Sequence, residues 1–182
     1  PDYMHREALE ALPEFLRQLN IVNPILFGHS DGGSIALIHA GAAKWPVRAL
    51  IVEAPHCFVE DLSIAGIEAA KQAYLTTDLG KKLGRYHAEP DKTFWGWNNI
   101  WLHTDFRAWN IEEYLPAIAC PVLAIQGVND EYGTMAQIDS IKAHASGETT
   151  LLQLEQCAHT PHRDQPEKVL RAVTHFVSKL NH

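Results

Sequence analysis

Apolar residues occur in short clusters, and the spacing within each cluster changes along the chain. Ala8, Leu9, Leu12, Phe15, Leu16 and Leu19 recur at helical steps, which predicts an amphipathic helix near the start. Residues 24–27 ("PILF") form a continuous apolar run that reads as a buried strand. Residues 34–43, rich in Ala, Ile and Leu, read as a helix whose small side chains suit close packing on a sheet. Further strands are predicted at 47–52 ("VRALIV"), 121–127 ("PVLAIQG") and 149–154. Met135, Ile138 and Ile141 mark one face of a helix between the last two strands. The final helix carries Val169, Val173, Phe176, Val177 and Leu180 on one face. Asp164 and Glu167 have capping-box spacing at its start, and Pro166 suits its first turn.

Strands alternating with helices predict an α/β fold, a mostly parallel sheet covered on both faces. One interval breaks the alternation. Residues 56–119 contain no convincing strand and are too many for a simple crossover, while 64–74 and 79–86 look helical. Trp95, Trp97, Trp101 and Trp109 crowd into its second half. The pattern therefore predicts a core from residues 1–55 and 120–182, with 56–119 a mostly helical insertion packed over the sheet as a lid.

Composition narrows the partners. A formal charge of -7 argues against nucleic acid and anionic membranes, since either requires a basic face. No apolar run approaches the roughly 20 residues of a membrane span. Nothing at the start has the form of a secretory signal. Cys57, Cys120 and Cys157 fit neither a disulfide framework nor a paired metal motif, so free thiols in a reducing, cytoplasmic setting are expected. Pro1 is not an initiator, and the chain reads as a piece of a longer protein.

The chemistry concentrates in Gly28-His29-Ser30-Asp31-Gly32, which fits the G-x-S-x-G turn between a strand and a helix. A serine on such a turn sits in strained backbone, so its neighbours are expected to be nearly free of side chains. The turn lifts the hydroxyl to the carboxyl edge of the sheet, where the Asp31 amide can donate to an oxyanion. A serine hydroxyl needs a base and an orienting carboxylate. Candidates follow the third and fourth predicted strands: Asp130 in "GVNDEYG" and His159 in "EQCAHTPHRDQPE". Glu131 and His162 are their neighbouring rivals. His159 and His162 lack a third ligand at metal-binding spacing, and a serine with its own base needs no cofactor, so neither a metal nor a cofactor is expected.

In "GHSDGG", "PVLAIQGVND" and "AHTPH", in that order, the chain resembles the α/β-hydrolase family, in its serine-nucleophile branch. The resemblance implies the C-terminal part of an α/β-hydrolase fold, with Ser30 as nucleophile, Asp130 as acid and His159 as base. It implies hydrolysis of a small ester or related acyl substrate through an acyl-enzyme. A carbon–carbon bond hydrolase of meta-cleavage type shares the same triad and helical lid. A catalytically silent binding module on the same fold is a third reading. Relatives with an aspartate nucleophile would need aspartate at position 30, where serine stands. His29, Trp95, Trp97 and Trp101 are candidate substrate-binding residues. In the family, further strands and a second oxyanion donor precede the first helix found here. The strand before Ser30 is therefore expected to be an open edge, through which two copies could associate.

Overall fold

The structure is a computed structural model that describes residues 2–180. Four strands form one parallel sheet in the order β1 (Ile25–His29), β2 (Ala49–Glu53), β3 (Val122–Gly127) and β4 (Thr149–Leu154). Every residue of β2 and β3 is buried, which is why both read as apolar runs with a single charged or amide residue near the end. One sheet face packs Ala49, Ile51, Leu123 and Ile125 against Val169 and Phe176 of the last helix. β1 pairs only with β2 among the described residues, and its Phe27 is 54% exposed.

Contacts divide the chain into two compact units. The larger comprises Asp2–Phe58 and the chain from Asn110 onward, and it holds the whole sheet. Its helices are α1 (Tyr3–Arg6), α2 (Leu12–Gln18), α3 (Asp31–Gly41), α7 (Ala136–His144), α8 (Pro161–Asp164) and α9 (Pro166–Lys179). The smaller unit, Val59–Trp109, contains α4 (Asp61–Thr76), α5 (Leu79–Leu83) and α6 (Pro90–Trp101). Residues 56–58 and 110–119 thus belong with the sheet. Glu60 and Ser63 exchange side-chain-to-backbone bonds in a capping box at the start of α4. Asn98 Nδ2 donates to the Ile67 carbonyl at 3.0 Å and ties α6 to α4.

The first helix departs from the expected stripe. Between α1 and α2 the chain makes a wide π-helical turn, Glu7–Ala11. Pro13, which has no N–H and crowds the carbonyl one turn back, accounts for the widening. The turn inserts one residue into the repeat, so Met4, Ala8, Pro13 and Leu16 are buried. Phe15 and Leu19 rotate outward, to 57% and 54% exposure. The Ala8 carbonyl accepts a hydrogen bond from Nδ1 of buried His39 at 2.9 Å, fastening this segment to α3. Residues 164–167 also differ from expectation. Gln165, not Asp164, precedes α9 and no side chain caps it. Asp164 is occupied elsewhere, accepting from the Ala158 N–H at 2.9 Å.

Candidate active site

β1 runs directly into Ser30, which precedes α3 with φ 54° and ψ -124°. Non-glycine residues hold such a conformation only when their surroundings enforce it. The enforcing bonds are on both sides of the residue. Ser30 N–H donates to the Glu53 carbonyl at 2.9 Å, and the Ser30 carbonyl accepts from Gly33 and Ser34 at 2.8 and 3.1 Å. The glycines are not equivalent. A Cβ on Gly28 would lie 2.2 Å from the Gly32 carbonyl oxygen, and one on Gly33 would lie 3.0 Å from Pro55 Cβ. A Cβ on Gly32 would meet nothing within 4 Å. Close approach therefore demands glycine at 28, while position 33 is tight and position 32 is open.

β3 ends at Gly127, and the loop after it carries Asp130. β4 ends at Leu154, and the loop after it carries His159. The two loops are laced together by backbone bonds of 2.9 Å, from Val128 N–H to Leu154 O and from Asn129 N–H to Cys157 O. Gly127 allows this closeness, since a Cβ there would sit 2.3 Å from the Cys157 carbonyl oxygen. His159 Nδ1 lies 2.9 Å from both oxygens of Asp130, and its Nε2 lies 2.9 Å from Ser30 Oγ. Asp130 also accepts from Gln126 Nε2 at 2.7 Å and from the Tyr132 N–H at 2.8 Å. Its carboxylate is 1% exposed, against 13% for the imidazole. The arrangement can remove a proton from the Ser30 hydroxyl while a buried, fully oriented carboxylate faces the far side of the ring.

The neighbours hold the loops. Glu131 accepts from the His159 N–H at 3.2 Å, so it acts on the main chain, not on the imidazole. His162 Nδ1 is 2.6 Å from Glu53 Oε2. His29 Nε2 donates to the His159 carbonyl at 2.7 Å, and burial lowers its pKa. Tyr132 lies against the His159 ring with centroids 4.6 Å apart, and its pKa is raised by burial and then by Glu131 and Asp130. Burial, with smaller contributions from Asp164, Asp130 and Glu53, pushes the Cys157 thiol up to about 11. The Asp31 amide lies in the first turn of α3, where helix N–H groups point outward along the axis. The Asp31 side chain accepts from the Tyr3 hydroxyl at 2.5 Å.

The tryptophans belong to the smaller unit. Trp95 and Trp97 pack edge-on to Phe94, with centroids 5.1 and 5.8 Å apart. Trp101 is buried against Phe106 and Trp109.

Residues 1–172 match the alpha/beta hydrolase family. The chain belongs to that family. A Mycoplasma genitalium protein with the provisional name esterase/lipase 1 is 28% identical over 198 residues, spanning 95% of this chain and 73% of its own length. Among solved structures, an esterase from Thermogutta terrifontis superposes with a TM-score of 0.69 at 18% identity, over 98% of this chain and 73% of its own. A serine hydrolase involved in carbazole degradation gives 0.74 at 18%, over 96% of this chain and 71% of its own. The esterase of Exiguobacterium antarcticum gives 0.65 at 21%, over 94% and 72%. At these identities the structures report a shared fold.

In this α/β-hydrolase chain, two buried polar positions beside the candidate site escape a motif search. Gln126 and Glu53 are wholly buried, at or near the carboxyl ends of strands that are otherwise apolar. That contrast is visible in "AIQG" and "LIVE": a lone polar residue ending a buried parallel strand points toward the sheet edge where ligands bind.

Proposed function

We propose that this chain is a serine hydrolase that cleaves a small ester or related acyl substrate. The observation that supports the reading most is the continuous contact from Asp130 through His159 to Ser30 Oγ, with 2.9 Å at each step. His159 Nε2 accepts the Ser30 proton as Oγ attacks the acyl carbonyl. Asp130 holds the imidazole with Nδ1–H toward itself and stabilises the imidazolium that forms. The Asp31 amide, at the α3 N-terminus, donates to the developing oxyanion. His159 then returns the proton to the leaving alcohol, and the acyl group stays on Ser30. Water, deprotonated by the same imidazole, attacks the acyl-enzyme and releases acid and free serine. The three cysteines are free, which supports a reducing compartment such as the cytoplasm.

A fluorophosphonate probe tests the reading, because it phosphonylates only a serine activated in this way. The expected result is one modified peptide containing Ser30, lost in Ser30→Ala. An unlabelled wild-type chain, or labelling that persists in Ser30→Ala, overturns it. A silent binding module on this fold would give the unlabelled outcome.

A further inference from the structure

Glu53 touches both halves of the site. Its carbonyl accepts the Ser30 N–H at 2.9 Å, and its carboxylate Oε2 accepts from His162 Nδ1 at 2.6 Å. His162 sits on α8, three residues beyond His159. The Glu53 side chain is 0% exposed, and its Oε1 has no hydrogen-bond partner among the described residues. A buried carboxylate with one bare oxygen is costly. A leucine would complete the same core at lower cost. What the carboxylate adds is a charge-assisted bond to the segment that carries the base. His29, paired in register with Glu53 on the neighbouring strand, fills the space between: its ring is 5.0 Å from those of His159 and of His162.

We propose that Glu53 and His162 are a positioning pair that seats the His159 loop against the nucleophile turn. Strand β2 thereby fixes the nucleophile through its backbone and the base through its side chain. Neither residue touches the reacting atoms. Their effect passes through the place of α8, and so through the distance from His159 Nε2 to Ser30 Oγ. The titratable groups sharing this space are His29 on β1, His159 itself and Cys157, whose thiol feels the Glu53 charge. The inference rests on the serine-hydrolase reading.

The test is the second-order rate of Ser30 phosphonylation at one fixed pH, in the full chain. The wild type is compared with Glu53→Gln, His162→Ala and the double variant. Each single variant should label about tenfold more slowly or worse, since small displacements of a base carry large rate penalties. The fraction of chains finally labelled should stay unchanged. The double variant should label no more slowly than His162→Ala alone, because a broken pair cannot be broken twice. His162→Gln, which can still donate a hydrogen bond to Glu53, should restore most of the rate that His162→Ala loses, a rescue that a merely structural role would not give. A loosened fold would instead lower the labelled fraction, and His162→Gln would not rescue it. His162 is half-exposed, so its variant carries the test even if Glu53→Gln folds poorly. Wild-type rates in the single variants, or losses that multiply in the double variant, overturn the inference alone. Absence of Ser30 labelling in the wild type overturns the serine-hydrolase reading, and this inference with it.

Discussion

Gln126 and Asp130 form a buried clamp: the amide Nε2 lies 2.7 Å from Asp130 Oδ2 and 3.0 Å from the Gly133 carbonyl oxygen. Both of its N–H groups are therefore spent on the loop that carries Asp130. Rotating the amide would aim its oxygen at the carboxylate, so the orientation is set by charge. Gln126→Leu keeps the bulk and removes the donors, leaving Asp130 with one partner fewer. The expected outcome is a loss of about 1–3 kcal/mol of stability. Ser30 phosphonylation should slow as well. Denaturant melts and probe kinetics on the same preparation check both.

The glycines around Ser30 should separate cleanly. Gly28→Ala places a methyl 2.2 Å from the Gly32 carbonyl oxygen, a distance that no side-chain adjustment can relieve. Strand and helix must part, and labelling should collapse together with stability. Gly32→Ala enters open space on a helical turn and should be neutral or stabilising by up to about 1 kcal/mol. Thermal midpoints of the two variants would show it.

His29 makes stability depend on pH. Burial lowers its pKa, so the folded chain holds this imidazole neutral where the unfolded chain protonates it. Its contribution is complete above the ordinary imidazole value of about 6.5 and is lost as pH falls from there toward the lower folded value. Urea midpoints measured between pH 8 and pH 5 should fall on the acid side. His29→Gln should flatten that slope, whereas a slope identical in the variant would assign the dependence to another group.

Much of this was legible in the residues because the signals were local. "PILFGHSDGG" announces strand, turn and helix within ten residues, and Asp130 and His159 each follow a short strand-like segment at the expected spacing. The parallel order of those strands needs only the alternation with helices. What escaped was set by competition between neighbours. Phe15 and Leu19 lie on a good helical stripe until Pro13 widens the turn before them and rotates them outward. Asp164 has capping spacing, yet the Ala158 N–H claims it across the loop, a partner that spacing along the chain does not reveal. Gly32 matches the motif letter while Gly33 bears the tighter contact, because helix-to-loop distance is a tertiary quantity. The Glu53–His162 contact joins residues 109 positions apart and lay outside any motif.

The backbone of Ser30 sets two further variants apart. Ser30→Ala keeps a Cβ in the unfavourable φ 54° conformation, and Ser30→Gly removes it. Both should be inert to the probe, yet the glycine form should melt higher, by about 1–2 kcal/mol in stability. Matched calorimetry would decide it.

That difference reaches past the test tube. On the serine-hydrolase reading, the fold strains its own nucleophile and would gain stability in a form that does nothing. Relaxed selection on turnover, with folding still demanded, would then erode this position first, and the surviving descendants would be better-behaved proteins with an empty mechanism. On that reading, the serine at position 30 would be kept by selection for the reaction and not by the fold.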